Sequence, residues 1–149
     1  MFAMNFDITI GSFRLTMLDS VEVTRSVENL ADTAVITLPG TAYNRALEVE
    51  DKISEGDPVC IRFGYDADTE ELPVEFEGYV DTIATEEGSI KITCEDELYA
   101  FRKEVRNTVL TDVSAGDLLS HVASEIGGFD VACDYDFRYD KFTIYETTG

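Results

Sequence analysis

Gly56-Asp57-Pro58-Val59-Cys60-Ile61-Arg62-Phe63-Gly64-Tyr65 is the stretch that decides the fold. Val59, Ile61, Phe63 and Tyr65 occupy every second position, and the Gly-Asp-Pro before them is turn chemistry. A period of two puts all four side chains on one face, the mark of a half-buried strand. An acidic loop, Asp66 to Leu72, follows, and then Val74, Phe76, Gly78 and Val80 repeat the period. The two runs predict a hairpin with a solvated tip. Gly78 inside the second run predicts a bulge, or a sharp bend where a sheet curls on itself.

The same period extends outward in both directions. Toward the N-terminus, Phe6, Ile8 and Ile10 alternate, Gly11-Ser12 interrupts, and Phe13, Leu15 and Met17 alternate again. A two-residue Gly-Ser break between such runs predicts a β-hairpin with a type II′ turn. Val21 and Val23 form one further run, and Ala34, Ile36 and Leu38 another, which Pro39-Gly40 stops. Between them Ser26 to Asp32 is polar around a central Leu30 and reads as a loop. Thr41 to Gly56 reads as irregular or briefly helical. Toward the C-terminus, a Glu87-Gly88 turn leads into Ile90, Ile92 and Cys94. About six or seven short, evenly spaced strands predict a sandwich or barrel.

Beyond Cys94 the period changes. Leu98, Phe101 and Val105 suggest a short helix, and Ala115, Leu118, Leu119, Val122 and Ile126 fall at helical spacing. Ser114 with Asp117 is a capping-box pattern, and Gly127-Gly128 ends the helix. Alternation returns at Phe129, Val131, Cys133, Tyr135 and Phe137, with a last run from Phe142 to Tyr145. The fold expected is therefore mainly β (α+β): an antiparallel split β-barrel with a small helix-containing C-terminal part. A boundary is expected near Arg106 to Asp112, giving a barrel domain at 1–106 and a small α/β extension at 107–149.

Composition narrows the function classes. A chain of 149 residues, 44% hydrophobic and 11% aromatic, builds a core rather than staying disordered. Its 31 acidic against 11 basic residues leave a net charge of −20. That charge opposes binding to nucleic acid phosphates and to anionic membranes. No apolar stretch is long enough for a membrane span, and Met1 to Asp7 carries neither a basic n-region nor an apolar h-region. Cys60, Cys94 and Cys133 are odd in number, lie in strand-like runs and form no C-x-x-C pair, so they read as small buried hydrophobes in a reducing compartment.

Several short patterns carry the residue types of catalysis or metal binding. Asp32-Thr33-Ala34 resembles the D-T-G loop of aspartic proteases, and Ile126-Gly127-Gly128 echoes their downstream apolar-Gly element. However, Ala replaces the glycine that lets backbone crowd the carboxylate, so Asp32 reads as the start of a strand. Asp66, Asp68 and Glu70 with Glu77 match oxygen-ligand positions of a Ca²⁺ loop, but Glu71 holds the required glycine position and Pro73 interrupts. Glu95-Asp96-Glu97 offers the carboxylates of a glycosidase without any Trp to stack a sugar. His121 falls on the polar side of its helix beside Asp117 and Glu125, with no nucleophile to serve. Arg102, Lys103 and Arg106 are expected to pair with the chain's own acids or with an acidic neighbour. No catalytic, metal or cofactor site is expected.

The order of the strand motifs is more specific than any of these. Gly56-Asp57-Pro58-Val59, Ile61-Arg62-Phe63-Gly64-Tyr65, Phe76-Glu77-Gly78-Tyr79-Val80 and Ile92-Thr93-Cys94-Glu95-Asp96 resemble the first barrel of contractile phage tail baseplate hubs. This is the late control protein D family, related to the spike-bearing hubs of type VI secretion. Leu98, Phe101 and Arg102 fit the apolar turn and basic residue that follow in the family. Val21-Glu22-Val23 and Asp32 to Pro39 fit its opening strands. The resemblance spans about Ile8 to Arg106 and marks Gly56, Asp57, Gly64, Tyr65, Phe76, Gly78, Cys94 and Asp96 as its structural positions. It implies a virion structural protein of a phage or prophage, not an enzyme. Its partners would be other tail or baseplate proteins, tube and spike among them, and it would be a homotrimer when full length. It would be made in a bacterial host's cytoplasm and assembled into a virion or tail-like particle. Family members run on into a second barrel, so the gene product or its family is expected to continue past Gly149. The readings set against this one are an aspartic-protease-like enzyme using Asp32 and a stand-alone β-barrel binding module.

Overall fold

Seven strands form one antiparallel sheet in the order β2-β1-β5-β6-β7-β4-β3. They are β1 (Met4–Ile10), β2 (Phe13–Arg14), β3 (Ser20–Thr24), β4 (Thr33–Leu38), β5 (Pro58–Tyr65), β6 (Val74–Glu86) and β7 (Ser89–Glu95). The structure is a computed structural model that describes residues 4–40, 49–65, 71–86 and 88–149. The N-terminal residues 1–3, the first half (41–48) of the Thr41 to Gly56 stretch, the acidic loop residues 66–70 that carry most of the Ca²⁺-loop pattern, and Glu87 of the expected turn lie outside the described residues. A single helical turn, α1 (Val49–Lys52), precedes β5.

The two edges of this sheet are one piece of chain. β2 pairs with β1 through Ile10 and Phe13, and the Leu15 N–H still donates to the Ile8 carbonyl at 2.9 Å. The Asp19 N–H then donates to the Thr37 carbonyl at 2.9 Å, and β3 pairs with β4 from Ser20 to Thr24. A flat sheet of seven strands would hold its edges roughly 29 Å apart. The chain between Arg14 and Ser20 spans at most about 22 Å even when straight. The sheet must curl, and the result is a split barrel whose seam is the passage from β2 to β3.

Alternation decides what fills it. Ile8, Ile10, Ala34, Ile36, Leu38, Val59, Ile61, Phe76, Val80, Ile90, Ile92 and Cys94 are all buried in one cluster. The polar residues between them face outward, as the period of two requires. Gly11 adopts φ 57 at the first position of the β1–β2 turn, where a type II′ turn needs a left-handed residue. β2 is shorter than expected, because Leu15 turns into the core and Met17 is left exposed. The bulges also fall elsewhere than expected. β6 shifts register against β7 between Val80 and Thr82, and β5 shifts against β6 at Ile61/Arg62, so Gly78 itself stays in register opposite Val59.

Two compact units divide the chain, Met1–Tyr99 and Ala100–Gly149. The second contains β8 (Glu104–Val105), β9 (Thr108–Ser114), α2 (Ala115–Ile126), β10 (Arg138–Ile144) and β11 (Thr147–Thr148). β9 pairs with β10 and β8 with β11, both antiparallel. Val105, Ile126 and Ile144 are its buried centre, with Phe101, Leu110, Leu118, Val122, Phe129 and Phe142 packed around them. The capping box is present in full: the Asp117 N–H donates to Ser114 Oγ at 3.1 Å, and the Ser114 N–H donates to Asp117 Oδ2 at 3.1 Å. The hydroxyl bond from Ser114 holds the Asp117 carboxyl below its ordinary value.

One expected strand is absent. Phe129 to Phe137 alternates in sequence but is irregular in structure, with Val131, Tyr135 and Phe137 exposed. Cys133 therefore lies in irregular chain rather than in a strand. The strand that does pair with β10 is β9, within and beyond the stretch where a boundary was expected. Pairing partners, not alternation alone, decide strand formation.

Candidate functional site

The motif positions gather at the turns and crossings of the barrel. Gly56 adopts φ 85 and donates its N–H to the Val80 carbonyl at 2.8 Å. The Val80 N–H donates back to the Asp57 carbonyl at 2.9 Å, and Asp57 Oδ2 accepts the Ser54 N–H at 2.8 Å. Next to it the Gly11 N–H donates to the Pro58 carbonyl at 2.8 Å. One short turn thus fastens the β1–β2 hairpin tip, the start of β5 and the middle of β6.

Asp96 plays the matching part at the end of β7. Its Oδ1 accepts the Leu98 N–H at 2.9 Å and opens the 3₁₀ turn Glu97–Arg102. Its Oδ2 accepts the Asp32 N–H at 2.8 Å, and its own N–H donates to the Asp32 carbonyl at 3.0 Å. Asp32 in turn offers Oδ1 to the Ser26 N–H at 3.4 Å. These carboxylates are spent on backbone N–H groups of the β3–β4 loop, the start of β4 and the 3₁₀ turn, and Asp32 stands directly before β4, the strand-start place read from the sequence.

Gly64 pairs with Asn5, and a Cβ there would lie 3.1 Å from Leu72 Cδ2. Tyr65 ends β5 with its ring exposed. Phe76 is buried opposite Ile61, and Cys94 is buried between Ala34 and Val80. At Gly78 a Cβ would stand 2.2 Å from the Glu95 carbonyl oxygen, so only a glycine lets β7 cross there.

Burial first, and the nearby Asp81 charge second, push the Cys94 thiol from its ordinary 9.0 up to about 12. A raised folded value favours the neutral thiol of the folded state. Its stabilising effect is complete below pH 9.0 and is lost as the pH rises toward about 12. Chemical denaturation at stepped alkaline pH is expected to show wild type losing more stability over that window than Cys94→Ala. Parallel curves would remove Cys94 as the cause.

The other chemistry-bearing residues are dispersed. A groove of about 300 Å³ on the barrel is lined by Gly11, Pro58, Cys60, Glu77, Tyr79 and Glu97 among others, and holds no histidine. In the second unit Arg106 makes a two-pronged pair with Glu125, at 2.8 and 2.7 Å, which holds the Glu125 carboxyl below its ordinary value. Lys103 Nζ donates to the Ile126 carbonyl at 2.9 Å, capping α2. His121 is half-buried rather than a surface group, and its Nε2 is sheltered with no hydrogen-bond partner. Among the described residues no group of three or more His, Cys, Asp or Glu side chains could hold a metal ion. No described helix is long and apolar enough to cross a membrane.

The class defined by these features is a split antiparallel barrel followed by a small α/β unit. No family model and no curated protein matches the chain. Among solved structures, the 43 kDa tail protein of prophage MuSo2 from Shewanella oneidensis aligns over 98% of this chain and 46% of its own, at 15% identity and a TM-score of 0.56. The tail protein from Neisseria meningitidis MC58 aligns over 89% of this chain and 42% of its own, at 8% identity and a TM-score of 0.49. The chain spans less than half the length of either. The likeness to the MuSo2 protein is one of fold.

Proposed function

We propose that this chain is a structural component of a phage tail or tail-like injection machine, acting in the baseplate hub that joins tube to spike. The observation that carries this reading is the fold shared with a prophage tail protein over 98% of the chain. The motif positions support it further. Gly56, Asp57, Gly78 and Asp96 fasten turns and crossings of the barrel, a frame-building role, and no described groove gathers them around a reacting centre.

In this reading the barrel is one of the paired barrels of each subunit, and three subunits form a ring that meets tube and spike. The net charge of −20 suits a lumen through which DNA or protein passes without sticking. The domain reading is likewise ours: the first compact unit, Met1–Tyr99, is the hub barrel, shorter than the 1–106 expected from sequence, and the second, Ala100–Gly149, is the start of a further domain. The protein is made in the host cytoplasm and built into the particle.

Light scattering on the complete gene product, with electron microscopy of the same fractions, tests the proposal. A trimer forming rings is expected. A strict monomer at high concentration, with no ring in micrographs, overturns it.

A further inference from the structure

Val27 and Leu30 are the most exposed large hydrophobic residues among those described, at 106% and 95% of full exposure. They stand three positions apart on the loop from β3 to β4. That loop is tied at its tip and at both ends. Ser26 Oγ accepts the N–H groups of Glu28 and Asn29, at 3.1 and 3.3 Å, and shapes the tip into a tight turn. At one end the Arg25 guanidinium bonds the Glu75 carbonyl and reaches Glu75 Oε2 at 3.3 Å. At the other end the paired bonds between Asp32 and Asp96 anchor the loop to the barrel. Other exposed hydrophobics, such as Met4, Met17 and Val109, keep roughly half their surface covered. Among the described residues, only this tip holds two large aliphatic side chains clear of the protein on a hydrogen-bonded turn.

We propose that the β3–β4 loop is a docking prong, and that its occupant is an apolar pocket rimmed by Lys or Arg on a different protein of the particle. The inference rests on the reading of this chain as a tail component. Charge complementarity selects the partner. Glu28 lies exposed between Val27 and Leu30, Glu22 is exposed on the strand leading in, and Arg25 is engaged by Glu75. The groove on the barrel carries Glu77 and Glu97, so seating this loop in the groove of a second copy sets Glu28 against like charges. A basic rim pairs with Glu28 while the pocket takes the two apolar side chains, the arrangement of an anchored interface.

The test uses the full chain in the host that produces the particle, with a photo-crosslinking phenylalanine derivative at position 30. A crosslink from purified particles to a different protein, through a peptide with net positive charge, is expected. Val27→Asp with Leu30→Asp should leave the melting temperature of the purified chain unchanged and cut particle yield at least tenfold. Leu30→Met should keep the yield, and Glu28→Lys should lower it where Glu28→Asp does not. Wild-type yield from the double variant overturns the prong, as does a crosslink only to this chain. Co-sedimentation with phosphatidylcholine vesicles that Leu30→Asp abolishes identifies lipid as the occupant and also overturns it. If the chain is missing from purified particles altogether, the tail reading itself fails, an outcome distinct from the others.

Discussion

Gly78→Ala is expected to destabilise the barrel by about 3 kcal/mol or more, the upper end of what overpacking costs in a formed core. The added Cβ would lie 2.2 Å from the Glu95 carbonyl oxygen, 2.9 Å from its carbon and 2.8 Å from Phe76 Cζ. Favourable contacts between non-bonded atoms lie near 3.5–4.0 Å. The Phe76 ring can rotate aside, but Glu95 cannot. Its backbone is paired with Tyr79 in β6 and with Thr33 in β4, and the next residue is bonded to Asp32. Relief therefore requires separating β7 from β6 at the crossing. Urea denaturation should show the midpoint falling with little change in slope. Gly64→Ala is the control, because its nearest neighbour is the end of the flexible Leu72 side chain at 3.1 Å. Equal effects at the two glycines would refute the close-approach argument.

That same glycine marks how far sequence reasoning reaches. Its presence inside an apolar run was enough to expect a distortion, yet the bulge sits at Val80/Thr82 and the glycine answers to the backbone at the far end of the next strand, β7. Local patterns carry local facts well. Ile90, Ile92 and Cys94 read as one face because a sheet with one buried face enforces the period, and Ser114 with Asp117 caps α2 as the pair predicts. Closure of the barrel was legible only from the number and even spacing of the strands; where it closes was not, because the alternation of Leu15 and Met17 says nothing of the bonds that Leu15 makes to Ile8 and Asp19 to Thr37. β9 was hidden where Val109 and Leu110 stand side by side. The dense β-branched set Thr108, Val109, Thr111 and Val113 was the available signal. Among the motif positions, Gly56 and Asp57 were legible as turn formers, whereas the reach of Asp96 to Asp32 depends on the fold. The loop tip was read as polar around Leu30, since full exposure of an apolar side chain is invisible in a string of residues.

Ile92→Ala should remove about 4 kcal/mol, the largest effect expected of a single truncation in the barrel. Ile92 is 0% exposed in the central part of β7, directly opposite Ile36 of β4 and Ile83 of β6. Both neighbouring strands are paired with β7 on either side of Ile92, from Lys91 to Thr93, so the surrounding side chains cannot collapse freely into the space, and the cavity cost adds to the lost transfer energy. Ile92→Val removes one methylene and should cost only about 1 kcal/mol. Urea unfolding followed by circular dichroism would separate the two, and a Val variant as damaged as the Ala variant would point to backbone rearrangement instead. The contrast with Leu30 completes the case. Leu30 has the same aliphatic bulk yet is 95% exposed, and its truncation to Ala should move the unfolding midpoint hardly at all. The fold does not need that side chain, so a loss of particle assembly in its variants would report on a surface rather than on stability.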